Sequence, residues 1–313
     1  MNWIYGMRWW VVVLLLVQAA PVLAWNRAGH MVTGAIAYGT LEERSPETLQ
    51  AVVDLLRSHP HFESLWRSEL QRGFVPSGER DLYLFMLAAR WADDIRGEED
   101  FDHPSWHYVN LPLRAEGDPT PLREPNPENV LVALQENRDR VSSRRDRSER
   151  SVALGWLFHL VGDLHQPLHA VQLFSERYPR GDRGGTLFEV QASRGRGTIH
   201  LHRFWDGLIQ GSQRFRSVRN RATELRRRGG LGWQDLEGEI QVESFEDWAE
   251  ESRTLAWELA YRQGRLQEEV DQNRGRLPES YGRDVQGAAE ERAVLAAYRL
   301  AALLERLFSQ PAT

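Results

Sequence analysis

Residues 155–169 read GWLFHLVGDLHQPLH. Apolar side chains fall on every face of a helical repeat, so the segment predicts a buried helix rather than a surface one. His159 and Asp163 interrupt that run four residues apart, which sets both on one face with Cβ atoms about 5–6 Å apart. An ionised carboxylate in such surroundings is costly unless a cation compensates it. Pro167 cannot continue the helix, so the chain turns there and His169 leaves the direction of His159 and Asp163.

On both sides the pattern stays helical. Periodicity and capping residues predict helices over 28–40, 45–57, 80–92, 128–142, 149–166, 202–212, 214–228, 246–263 and 285–308. Proline crowds 111–129, LPLRAEGDPTPLREPNPEN, which reads as a long surface loop. Alternation appears around 185–201, where TLFEV and TIHL flank RGRG as a small hairpin. The fold class is therefore mainly α, a single domain over 25–313 with a small β-hairpin. The run RFRSVRNRATELRRR (214–228) is strongly basic. A solvated helix face is the commoner explanation, a nucleic-acid contact surface the rarer one.

With 41% hydrophobic and 27% charged residues, the 313-residue chain has the make-up of a folded globular protein. It has no cysteine, which excludes disulfides, thiolate metal sites and cysteine nucleophiles. All 39 basic residues are arginine, which excludes a Schiff-base or phosphate-loop lysine. A formal charge of −6 argues against tracking along duplex DNA on a basic face. Nucleic acid would have to be handled at a local site.

Residues 1–24, MNWIYGMRWWVVVLLLVQAAPVLA, place Arg8 before an apolar run from Trp9 to Val17 and end in Val22-Leu23-Ala24. That layout is a secretory signal peptide with cleavage after Ala24, the apolar run being short for a bilayer span. The expected location is periplasmic or extracellular, with no stable membrane anchor. Cleavage would make Trp25 the first residue. A free α-amino group has a pKa near ~8 and can bind a metal once deprotonated.

Five segments gather histidine and aspartate beside tryptophan or glycine: WNRAGH (25–30), WADD (91–94), WHYVN (106–110), HLVGDLHQPLH (159–169) and HRFWD (202–206). The last repeats the four-residue spacing with His202 and Asp206. A lone histidine such as His30 or His107 is more often a core residue than a ligand. The joint pattern of imidazoles and carboxylates, with no thiolate to compete, suits zinc.

Taken in order, W-x4-H, WAD, WHY, H-x3-D-x5-H and H-x3-D resemble the zinc-dependent S-one/P-one nuclease family, which shares its fold with the bacterial zinc phospholipases C. The resemblance runs over essentially the whole chain after residue 24, including SFEDWAEESRTLAWELAY (244–261). It implies three zinc ions. One would be held by Asp93, His107, His159 and Asp163, and a second by His169, His202 and Asp206. The third would be held by the amino group and carbonyl of Trp25, by His30, and by Asp163 as a bridge. The resemblance further implies attack at phosphorus that breaks the bond to the 3′ oxygen and leaves a 5′-phosphate. Asp93 would orient or deprotonate the water, and the second ion would receive the leaving oxygen. Arg96 stands where the family places a basic residue near the phosphate, a surface charge being the equal alternative. Tyr108 stands where an aromatic ring stacks on a base.

Three positions depart from the family pattern. Asn110 stands where fungal members carry a carboxylate that contacts the base edge. Thr186 and His200 stand where asparagine is usual, and His200 competes with His202 as a ligand. Asp206, four residues after His202, decides for the latter. His59, His61, His103 and His165 read as structural or surface residues. The resulting expectation is an exported trinuclear-zinc nuclease, a phosphoric-ester hydrolase for single-stranded DNA or RNA, with 3′-nucleotidase activity as an extension. Unstacked bases can reach an aromatic platform, which favours single strands. A phospholipase C on the same scaffold and a non-catalytic periplasmic zinc-binding protein are the alternatives. Those phospholipases typically have glutamate where this chain has Asp206. No partner protein is implied.

Overall fold

A computed structural model describes residues 25–191 and 197–309. The leader 1–24, with the cleavage expected after Ala24, lies outside the described residues, as does the tip of the hairpin. The chain opens with α1 (Arg27–Arg44) and α2 (Pro46–Leu56), then passes a π-turn and the short α3 (Arg67–Leu70) to reach α4 (Arg80–Asp94). A 3-10 turn at Pro104–His107 leads to β1 (Leu111–Arg114). Next come α5 (Val130–Ser142), α6 (Arg147–Leu164) and the one-turn α7 (Pro167–Ala170), which runs into β2 (Val171–Phe174). β3 (Glu189–Gln191) and β4 (Thr198–His200) precede α8 (Leu201–Asp206) and α9 (Phe215–Arg226). The chain continues through α10 (Glu237–Ile240), α11 (Phe245–Leu255), α12 (Leu266–Gln272) and the long α13 (Tyr281–Ser309).

The architecture is mainly helical, as the periodicity predicts, and α6 sits at its centre. It packs against α2, α4, α5 and α13, and every residue from Ala153 to Leu164 is buried. That explains the apolar run: from Ala153 onward no face of the helix meets water. Asp146 caps its start by accepting from the Ser148 amide at 2.8 Å. α1 packs on α4, α9 and α13. The α1–α4 approach is close because Gly34 has no side chain; a Cβ there would come 2.6 Å from the Phe85 carbonyl oxygen. No helix among the described residues is long and apolar enough to cross a membrane.

β1 and β2 pair in parallel, from Leu111 opposite Val171 to Arg114 opposite Phe174. The first residues of the proline-rich stretch are therefore strand, not loop. β3 and β4 pair antiparallel, Glu189 opposite His200, as the expected hairpin does. The helix expected over 202–212 ends at Asp206. Leu208 and Ile209 continue the apolar period in sequence, but Ile209 is buried as coil after Gly207. The helix expected over 246–263 gives way to a π-turn at Ala256–Ala260.

The basic run 214–228 resolves into an amphipathic helix. Phe215, Val218, Ala222 and Leu225 form its buried stripe. Its arginines mostly meet carboxylates: Arg219 with Glu79, Arg221 and Arg228 with Glu290, and Arg226 with Glu43.

Candidate metal centre

The parallel β1–β2 pair does more than add a sheet. His107 precedes β1 by four residues and His169 precedes β2 by two, so pairing these strands draws the two histidines together. The Val109 amide donates to the His169 carbonyl at 3.1 Å, and His169 Nδ1 donates back to the His107 carbonyl at 2.5 Å. Pro167 starts α7 as a first-turn residue, with Gln166 Oε1 accepting from the Leu168 amide at 2.6 Å. The break after α6 thus gives His169 its own orientation.

The first group forms where α6 faces α1 and α4. His159 Nδ1 donates to the Ala89 carbonyl at 2.9 Å, which puts a proton on Nδ1 and turns Nε2 inward. That Nε2 lies 3.1 Å from His107 Nδ1, 3.3 Å from Asp163 Oδ2 and 4.0 Å from Asp93 Oδ1. His107 Nδ1 lies 2.9 Å from Asp163 Oδ2, and His30 Nε2 3.2 Å from Asp163 Oδ1. The His30 ring stacks on His159 with centroids 3.9 Å apart. All five side chains are fully or almost fully buried.

Burial pushes the Asp163 carboxyl up, but His159, His107 and His30 outweigh it and hold the group well below the ordinary carboxylate range. Burial likewise opposes the ionised form of Asp93, and His159, His30 and Arg96 bring it below its usual value. Burial lowers His30 and His107. His159 is raised despite burial, by Asp163 and Asp93.

The second group is His169, His202 and Asp206. His202 Nδ1 donates to the Gly184 carbonyl at 2.6 Å. His169 Nε2 and His202 Nε2 then face each other at 2.9 Å, with Asp206 Oδ1 3.6 Å from His202 Nε2. A carbonyl only accepts, so both Nδ1 atoms carry protons and each ring turns its Nε2 toward the other. Asp206 is buried and pushed well above the usual carboxylate range by desolvation, against one stabilising bond from Gln166 at 2.8 Å.

Donor geometry fits metal ions. His30 Asp93 His159, His107 His159 Asp163, and His169 His202 Asp206 each bring three ligand atoms within 4.8 Å of one another, all buried. Asp93 Oδ2, Asp163 Oδ1, His107 Nε2 and both His30 nitrogens make no hydrogen bond. Buried polar atoms left this way signal a missing partner. The set is all imidazole and carboxylate, the donors zinc accepts.

Other candidate residues fall around this core. Trp25 is fully buried, and the adjacent Asn26 amide donates to the Asp206 carbonyl at 3.1 Å. Arg96 donates to Asp93 Oδ1 at 2.9 and 3.1 Å, so it is tied to the centre and is not a loose surface charge. Tyr108 and Asn110 are half-buried directly after His107, with Asn110 at φ 61°. Asparagine tolerates that left-handed conformation better than most residues. His200 is exposed on β4 and takes no part, whereas His202 is buried in the centre. Thr186 Oγ1 donates to the Arg183 carbonyl at 3.0 Å and stays within its own turn. His59, His61 and His165 pack structurally: His61 accepts from Trp91 Nε1 at 3.0 Å, and His165 Nδ1 donates to the Val161 carbonyl at 2.8 Å.

Sequence reasoning missed three supports. Gln166 holds both Asp206 and α7, and only its place before Pro167 hinted at a cap. Arg27 donates to the Asp93 carbonyl at 3.0 Å and pairs with Asp94 at 2.9 Å. Gly184, at φ 60°, lets the turn aim its carbonyl at His202; a Cβ there would fall 2.2 Å from the Leu168 carbonyl oxygen. A pair of glycines in sequence was the one sign of that turn.

The S1/P1 Nuclease family model matches residues 25–309. Endonuclease 4 of Arabidopsis thaliana is 28% identical over 220 residues, 64% of this chain and 61% of the relative. Endonuclease 3 of the same plant is 26% identical over 226 residues, 67% of this chain and 62% of the relative. The aligned part thus spans about three fifths of these relatives' length. With every described residue inside the matched span, the chain belongs to the S1/P1 nuclease family.

Proposed function

We propose that this chain is an exported phosphodiesterase that cleaves single-stranded DNA or RNA at a three-zinc centre and leaves 5′-phosphate ends. The observation that carries the reading is the buried convergence of His107, His159 and Asp163 beside the facing Nε2 atoms of His169 and His202. Asp93, His107, His159 and Asp163 would hold one ion, and His169, His202 and Asp206 another. His30, Asp163 and the Trp25 backbone would hold the third. Processing after Ala24 would free the Trp25 amine, and the pinning of Asn26 to Asp206 keeps that end of the chain at the centre. Bound zinc supplies Lewis acidity: it brings water to ionise near neutral pH and offsets phosphodiester charge.

The chain's own groups do the rest. Asp93 keeps Oδ2 free of hydrogen bonds to orient the attacking water and take its proton, while Arg96 steadies Oδ1. The outer end of Arg96 meets a phosphate oxygen. Tyr108 offers a stacking face, and Asn110 an amide that both donates and accepts at a base edge. 3′-Nucleotidase activity follows if a terminal phosphate enters the same centre.

The test is cleavage of single-stranded and duplex DNA by the purified exported protein, with and without chelator, alongside N-terminal sequencing and zinc content. A start at Trp25, about three zinc ions and chelator-sensitive cleavage of single strands are the expected results. Equal cleavage of both substrates, or cleavage indifferent to chelator, would defeat the reading. Faster release of phosphocholine from lecithin would turn it toward a phospholipase. Full zinc content without phosphoesterase activity would leave a zinc-binding protein.

A further inference from the structure

A cleft opens along α4, bounded by that helix, the segment after α8 and the turn after α3. It encloses about 570 Å³. Its floor is an aromatic row: Phe74 meets Tyr83 edge-on at 6.2 Å between centroids, and Tyr83 meets Phe215 at 5.3 Å. Phe74 is 43% exposed and is the one exposed phenylalanine, tyrosine or tryptophan among the described residues. Arg72, Arg90 and Arg214 line the cleft; Arg72 pairs with Glu69 at 2.5 Å and Arg90 with Asp94 at 2.7 Å, so the surplus positive charge, in a chain of net charge −6, rests on Arg214. Arg214 is exposed and makes no ion pair among the described residues, unlike most arginines later in its basic run.

The cleft is tied to the metal centre through α4. Tyr83, Arg90 and Asp94 share one face of α4, at spacings of seven and four residues, and Asp93 lies on the same final turn. Arg90 pairs with Asp94 at 2.7 Å, Asp94 with Arg27 at 2.9 Å, and Arg27 holds the Asp93 carbonyl. The opposite wall begins five residues after Asp206, at Gly211. By helical rise, Tyr83 lies about 15 Å along α4 from Asp93. A single strand with its scissile phosphate at the centre reaches the cleft within a few nucleotides.

Resting on the function proposed above, we propose that this cleft is a subsite for nucleotides flanking the cleaved bond of a single-stranded nucleic acid. One base stacks on Phe74, and Arg214 contacts the backbone. Stacking on an exposed ring needs no particular base, so the subsite adds affinity for length without adding sequence preference.

The experiment compares the zinc-loaded protein with its Phe74→Ala and Arg214→Ala variants. Anisotropy is read with a fluorescein-labelled phosphorothioate thymidine 12-mer and a phosphorothioate dinucleotide, and KM and kcat with the cleavable counterparts. Phe74→Ala should weaken 12-mer binding about tenfold and raise its KM similarly, with kcat and all dinucleotide constants unchanged. Arg214→Ala should shrink the salt slope of 12-mer binding by about 0.7. Variants that bind the 12-mer within twofold of wild type, with the same salt slope, overturn the subsite. So does Phe74-dependent binding to phosphatidylglycerol vesicles with 12-mer binding untouched, which would mark a membrane contact. If no substrate is cleaved yet 12-mer binding depends on Phe74, the subsite stands and the proposed activity fails.

Discussion

Gly162 lies beneath the imidazole of His30, so close that a Cβ on Gly162 would stand 2.8 Å from His30 Nδ1. The glycine is one residue from Asp163 on α6, and His30 projects from α1. Helix packing and site geometry therefore meet at a single missing methyl group. Gly162→Ala should force His30 off Asp163 and lower zinc content by about one ion per chain. Activity should fall about 10–100-fold, as when support for a ligand is lost. Gly155→Ala, whose Cβ meets the Trp91 ring at 3.0 Å, is the control: it should cost stability but no zinc. Full zinc content in Gly162→Ala would remove His30 from the ligand set.

Asp163 and Asp206 sit in opposite electrostatic surroundings, and their replacements should differ. Asp163 faces His30, His107 and His159, which keep it ionised against burial. Burial drives Asp206 toward the protonated form, with Asp93 and Asp163 adding to it, against Gln166 and Arg203. Asp163→Asn should release about two ions, because both of its oxygens face different imidazoles. Asp206→Asn should release about one. Metal analysis of the two variants decides it; equal losses would mean that Asp163 does not bridge.

Much of this centre was legible because it rests on short-range spacing. His159 and Asp163, and His202 and Asp206, meet through helical geometry alone. Pro167 announced the turn that separates His169 from them. What sequence could not show was the β1–β2 pair: four residues on each side, sixty apart in the chain, with proline in one strand. The end of α8 was hidden because Leu208 and Ile209 keep the apolar period after the helix has stopped. α3, α10 and α12 span four to seven residues, too few turns to display a repeat. Glycine contacts such as Gly162 with His30 carry no local signal, since they depend on which helix arrives opposite.

His59 gives a pH dependence that is independent of metal. Burial, with His61 alongside, pushes its imidazole down to about 3, from 6.5 in an unfolded chain. Above pH 6.5 both states are neutral and nothing is lost. Below it the unfolded chain takes up a proton that the native state refuses, so stability falls with falling pH, by up to about 1.4 kcal/mol per unit until about pH 3. In chelator-treated protein, His59→Gln should start less stable at pH 7, because the ring packs on Trp66 and Trp91. The gap in Tm should narrow toward pH 4.5, since glutamine takes no proton. A gap constant across that range would exclude His59 as the acid-sensitive group.

Arg299 of α13 ties the far side of the helix that carries His159 and Asp163 to the C-terminal region. Fully buried, it donates to Glu251 at 2.7 Å through two nitrogens, to the Glu239 carbonyl, and to His165 Nε2 at 2.9 Å just past the end of α6. Arg292 reaches the same Glu251 at 2.8 Å. The two arginines overcome burial to hold the Glu251 carboxyl below its usual value. Removing the shared carboxylate strands two buried cations, whereas removing Arg299 leaves Glu251 still paired with Arg292. Glu251→Ala should therefore cost about 3–5 kcal/mol in urea unfolding of the zinc-loaded protein, the range for breaking a buried pair, and Arg299→Met less. Both variants should keep their zinc, because no ligand contacts this network. The reverse order would mean that packing of Arg299 over Trp248, 5.0 Å from the ring centre, outweighs the charges.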